Sequence, residues 1–153
     1  MNDAAIQTRR EIVVDELFPH APAAVWKALT TPALMARWIH MEPKGLEPVV
    51  GNRFTYQTTP AGAWDGVIHC EVLDVIANQR FVYSWKGGDA ANHGYGSLLD
   101  TIATFTLEAE DGGTRLTIVH SGFVLPHNDT AYRNMSGGWA QVVPAIGALA
   151  GEQ

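Results

Sequence analysis

The chain has 153 residues, of which 46% are hydrophobic and only 17% charged, against about 25% charged in an ordinary soluble domain. That length suits one domain with one core and leaves no room for a second, and the composition excludes disorder. A net charge of −6, with Arg9-Arg10 the one adjacent basic pair, excludes a nucleic acid or an acidic membrane face as partner.

Cys70 stands alone, which removes disulfides, thiolate zinc sites and CxxC redox chemistry and accords with a reducing compartment. Met1 to Arg10 lacks the apolar run of a secretory leader, so a cytoplasmic protein is the expectation.

In chain order, Glu11 to Phe18 reads as a strand closed by Pro19. Pro22 then suits a first helical position, with Val25, Trp26 and Leu29 on one face. Thr31-Pro32 repeats that start signal for a short helix carrying Leu34, Met35 and Trp38. After an irregular stretch from Ile39 to Asn52, strands are expected near 53–58, 65–76, 80–85, 101–108 and 114–121. Asp111-Gly112-Gly113 marks a hairpin turn, and short connections make the roughly six strands mainly antiparallel.

Asn134 to Gly151 carries no charge, yet its glycines, Pro144 and polar residues are too frequent for a membrane span. Met135, Trp139, Val142 or Val143, Ile146 and Leu149 step by three or four, the stripe of an amphipathic helix that packs on protein. The fold class expected is therefore α+β, a curved antiparallel sheet closed by a long C-terminal helix.

Specific residues now carry a resemblance. Ala21-Pro22-x-x-Val25-Trp26-Lys27-Ala28-Leu29-Thr30-x-Pro32 with Ala36-Arg37-Trp38, then Gly51-x-x-Phe54, Glu71-Val72-Leu73-x-Val75 into Phe81 to Trp85, Gly113 to Thr117 through His120 to Phe123, and Gly138-Trp139-Ala140-Gln141 resemble the START-like (SRPBCC) superfamily. The branch is that of activators of the heat-shock-protein-90 ATPase. The resemblance runs from about Ala21 to Leu149 and implies a single helix-grip domain over residues 1–153, with an apolar cavity between sheet and last helix. It implies a chaperone as one partner class and a lipid-like or aromatic molecule as another. The chain departs from the family at Glu16, where a basic residue is common, at Ile39, where a second Trp often follows the first, and at Pro144. Pro144 removes a helical hydrogen bond from the carbonyl of Ala140, which predicts a bent or mobile cavity wall.

Candidate chemistry is sparse. His69 and Glu71, two apart on a strand, share a face at about 7 Å; they are either an acid/base pair in the cavity or a solvated pair outside it. His120 alternates with Leu116 and Ile118 and so points inward, as a hydrogen-bonded core residue, a ligand contact or a general base. No ligand spacing for a metal appears, and the glycines between Lys86 and Ser97 lack the end of a phosphate loop, which leaves a mobile connection at the cavity mouth. Aromatics are the stronger signal. Phe81, Tyr83 and Trp85 alternate on one face, and Trp38, Tyr56, Trp64, Met135 and Trp139 come from elements the fold gathers around the same space, as packed core or as ligand-binding lining.

Three functional classes follow: a non-catalytic carrier or sensor of a small apolar molecule, an interaction module with a chaperone or a second copy of the chain as partner, and a cyclase- or hydrolase-like enzyme with His120, or His69 and Glu71, as base. No metal or cofactor is expected in any of them.

Overall fold

A computed structural model describes residues 8–153; most of the Met1 to Arg10 segment lies outside the described residues. Strand β1 (Thr8–Phe18) is followed by helices α1 (Pro22–Thr30) and α2 (Pro32–Ile39), strands β2 (Arg53–Gln57), β3 (Val67–Ile76), β4 (Arg80–Gly87), β5 (Leu99–Glu110) and β6 (Gly113–Leu125), and helix α3 (Asp129–Ala150). Each short helix opens on its proline, whose missing N–H would have had no partner in a first turn anyway.

The strands form one antiparallel sheet in the order β1-β6-β5-β4-β3-β2. β1 and β2 therefore lie at opposite edges, and α1 and α2 carry the chain between them. From β2 the chain walks back strand by strand until β6 pairs with β1. The β5–β6 hairpin turns through Asp111 at φ 47° and Gly112 at φ 75°, the two left-handed positions of a tight turn that matches sheet twist.

Several boundaries differ from the sequence expectation, two of them near the last helix. β6 continues past Ser121 because Gly122, at φ 104°, is absorbed where the β1–β6 register shifts between Arg10 and Glu11; only glycine takes that backbone at no steric cost. α3 begins at Asp129, ahead of the uncharged stretch, and an Asp129–Arg133 pair spans its first turn at 3.8 Å. Pro144 lies inside α3, with Ala140 on its exposed face. Pro144 leaves the Ala140 carbonyl without its helical partner on that exposed face.

Inward-facing residues of every strand meet α3, α1 and α2 in one core. Among the largest fully buried side chains are Trp38, Tyr56, Tyr83, Phe81, Phe105 and Phe123. No helix among the described residues is long and apolar enough to cross a membrane.

Candidate functional site: a half-open cavity beside the last helix

The space between sheet and α3 is divided. On one side it is solid. His120, fully buried, accepts at Nδ1 from the Trp139 indole N–H at 3.0 Å, and its Nε2 lies 2.7 Å from the Thr101 hydroxyl oxygen. That hydroxyl donates to the Trp85 carbonyl at 2.8 Å. An indole N–H only donates and a carbonyl only accepts, so the chain of bonds has a single direction and fixes His120 as the neutral tautomer with its proton on Nε2. Burial holds its pKa down at about 3, since nothing near it repays the desolvation of an imidazolium. Its basic lone pair is already spent on Trp139, which leaves it nothing with which to take a proton from a substrate.

The hydroxyls of Tyr56 and Tyr83 face each other at 3.0 Å inside the same solid region. Burial raises both phenols, as it raises the nearby Cys70 thiol, and keeps all three protonated. Trp38 donates its indole N–H to the Ala28 carbonyl at 2.8 Å and packs on Phe105 and Trp139, which locks α2 onto α1. Trp38, Tyr56, Tyr83 and His120, expected from the sequence around a ligand, are thus packed behind the cavity rather than in its wall.

The other side is hollow. A half-open cavity of about 260 Å³ lies between α3, the end of α2, strands β3 and β4 and the loops that flank them. Of the residues expected there, Trp64, Trp85, Met135 and Trp139 line it. Sequence reasoning missed Ile39, Met41, Thr58, Ile68, Leu99 and Gly138. The helical spacing of Ala131, Met135, Gly138 and Val142 was a readable signal for the α3 wall. The rim was not, because it forms only when loop 58–66 meets loop 88–98.

Those loops are tied together. Asn92 donates to the Ala61 carbonyl at 2.6 Å and accepts from the Ala63 N–H at 3.2 Å, and the Tyr95 hydroxyl donates to the Thr59 carbonyl at 2.8 Å. Buried Asn128 fastens the second loop to the start of α3, donating to Ser97 Oγ and to the Leu98 carbonyl. The glycine-rich connection lies at the cavity mouth, as expected, and its hydrogen bonds make it part of the rim.

Gly138 is part of the cavity wall. A Cβ built on it meets nothing within 4 Å, whereas one on Gly147, two and a half turns on, would stand 2.6 Å from the Phe18 ring.

The fold matches known proteins. A family model described as "Activator of Hsp90 ATPase homolog 1-like protein" matches residues 19–151. The chain belongs to that family. No curated protein matches it. Among solved structures, protein MLL2253 from Mesorhizobium loti is 33% identical, with a TM-score of 0.78 over 94% of this chain and 98% of that one. A Rhizobium leguminosarum protein is 16% identical with a TM-score of 0.74 over 96% and 97%. The Aha1 dimer from Colwellia psychrerythraea is 20% identical with a TM-score of 0.67 over 90% and 92%; the likeness to these two is one of fold.

His69 and Glu71 lie on the outer face. His69 is exposed, and Glu71 pairs with Arg53 across the β2–β3 ladder at 3.3 Å. They are turned away from the cavity, so the acid/base reading for them fails on geometry. Among the described residues no group of three or more His, Cys, Asp or Glu could hold a metal ion.

Proposed function

We propose that this protein binds a small apolar molecule in the cavity beside α3 and acts as its carrier or sensor, without chemistry on it. The observation that carries the reading is the hollow over Gly138, walled by Trp64, Trp85, Met135 and Trp139 and free of charged side chains. A well-formed apolar recess with few polar groups is the usual form of a small-ligand site. The neutral, hydrogen-bonded His120 behind the wall fits a rigid support better than a general base. The lone buried Cys70 accords with a cytoplasmic setting.

Native mass spectrometry after exposure to a cell extract, together with thermal shifts across a library of neutral apolar compounds, tests the reading. Retained small-molecule mass and rises in Tm for a subset of compounds are expected. Silence in both would overturn it.

A second reading, an interaction module of the chaperone-activator kind, draws on the family match and on one feature of the outer sheet face. The strand registers align Val13, Val119, Thr104 and Val82 in a row across β1, β6, β5 and β4, and Val13 is 55% and Ile102 39% exposed. Stimulation of a heat-shock-protein-90 ATPase by the purified protein, lost on Val13→Glu with Ile102→Glu, would favour this reading over the carrier.

A further inference from the structure

The sheet has two edges, and the fold treats them differently. β2 is five residues long, and Lys44 closes its outer side, bonding Thr55 in both directions at 2.9 and 3.1 Å. β1 runs for eleven residues, pairs with β6 on one side, and among the described residues meets no strand on the other. A long bare edge is a template for a further strand, and proteins commonly blunt one with a proline, a lysine or a bulge. β1 has none of these. Pro19 falls beyond its end, and the extra residue at the β1–β6 register shift is Gly122, on β6. Among the described residues the one side-chain bond to its backbone is long and exposed, from the Tyr132 hydroxyl to the Glu11 carbonyl at 3.4 Å.

What β1 does carry is charge, and the signs are sorted along it. Arg9 and Arg10 stand at its start, Asp15 and Glu16 near its end, all of them exposed. Such a strand repels a parallel copy of itself and attracts an antiparallel one. Residues directly opposite on a sheet share a face, so self-pairing joins odd positions to odd and even to even. With Val13 at the centre, Glu11 would face Asp15, a destabilising pair of like charges. With Val14 at the centre, no opposite charges would meet. With Ile12 at the centre, Arg9 faces Asp15 once on each side of the axis, Glu11 faces Val13, and Arg10 has Glu16 on its diagonal. Asp15 has little to give up, because Arg115, 3.6 Å from it, is held by Glu110 at 2.9 Å.

We propose that two copies of this chain pair antiparallel through their β1 edges, in the register centred on Ile12, and so form one continuous sheet across a two-fold axis. Neither β1 nor β6 lines the cavity beside α3, so the pairing stands independently of the carrier reading. Exposed ion pairs are screened by salt, which makes the dimer reversible and weaker as ionic strength rises.

The test is sedimentation equilibrium of the full chain over a wide concentration range, at low and at high salt. A monomer–dimer equilibrium that weakens with salt is expected; a monomer at every concentration would overturn the proposal. Arg9→Glu and Asp15→Arg each make both symmetry-related contacts repulsive, and each should raise the dimer Kd about tenfold. Mixed in equal amounts, the two variants regain both opposite-charge contacts between unlike chains and should form a heterodimer about as tight as the native dimer. A dimer that either variant leaves unchanged, or a mixture that does not pair, would overturn the assignment to β1. Should Asp15→Arg fail to fold, a nitroxide on Glu11→Cys decides the matter. It lies on the diagonal from its own copy, about 7–8 Å away at Cα, so its EPR spectrum should broaden in the dimer; an unbroadened spectrum would overturn the edge pairing.

Discussion

Two glycines on one helix summarise the molecule. Gly147 and Gly138 lie on different sides of α3, the first buried and the second on the flank that lines the cavity, and each costs the helix about 0.5–1 kcal/mol relative to alanine. At Gly147 the cost has a packing return, because the Phe18 ring fills the place a side chain would take. At Gly138 it has none, since a Cβ there touches nothing. The first is sealed by Phe18 of β1; the second borders the half-open recess. Absence of a side chain serves density in one half and vacancy in the other, and only the second is a candidate for function.

Perturbing each half should separate them. In the solid half, His120→Ala removes the acceptor of Trp139 and leaves a void, and should cost about 3–5 kcal/mol in urea unfolding. Gly147→Ala drives a methyl into Phe18 and should cost about 1–3 kcal/mol. Acidity should probe the same region. Folded His120 stays neutral to about pH 3, whereas in the unfolded chain it protonates near pH 6.5. The unfolded state therefore holds one proton more in that window, so stability is full above about pH 6.5 and falls by up to about 1.4 kcal/mol per pH unit on the way to 3. Urea midpoints at pH 7 and 5, compared between the native chain and His120→Gln, isolate this contribution. In the hollow half the sign reverses: Gly138→Ala should gain about 0.5–1 kcal/mol, seen as a small rise in Tm. A loss there would mean that the space is already occupied by the protein itself.

Much of the fold was legible because its signals are local. Alternation at Phe81, Tyr83 and Trp85, prolines at the starts of two helices and Asp111-Gly112 at a turn each act over a few residues. Misplaced boundaries mark where a local stop sign was overruled, as when Gly122 became a bulge inside β6 instead of its end. The site was half legible for the same reason. Inward pointing of His120 followed from period two, but its tie to Thr101 and Trp139 joins residues nineteen apart on either side, and no spacing rule announces such a meeting. Tyr56 and Tyr83 carry polar handles that suit a ligand, yet the two satisfy each other. Nothing local in the loops around Ala61 and Asn92 foretells that they close into a rim.

The central claim is that the space over Gly138 is kept open for a guest. Its most direct test is the Tm of Gly138→Leu beside the native chain, each with and without saturating naphthalene. The account predicts a variant that folds with a Tm no lower than native, because the added side chain enters open space and leucine favours a helix, and a naphthalene-induced rise confined to the native chain. A destabilised variant, or equal rises in both proteins, would contradict it.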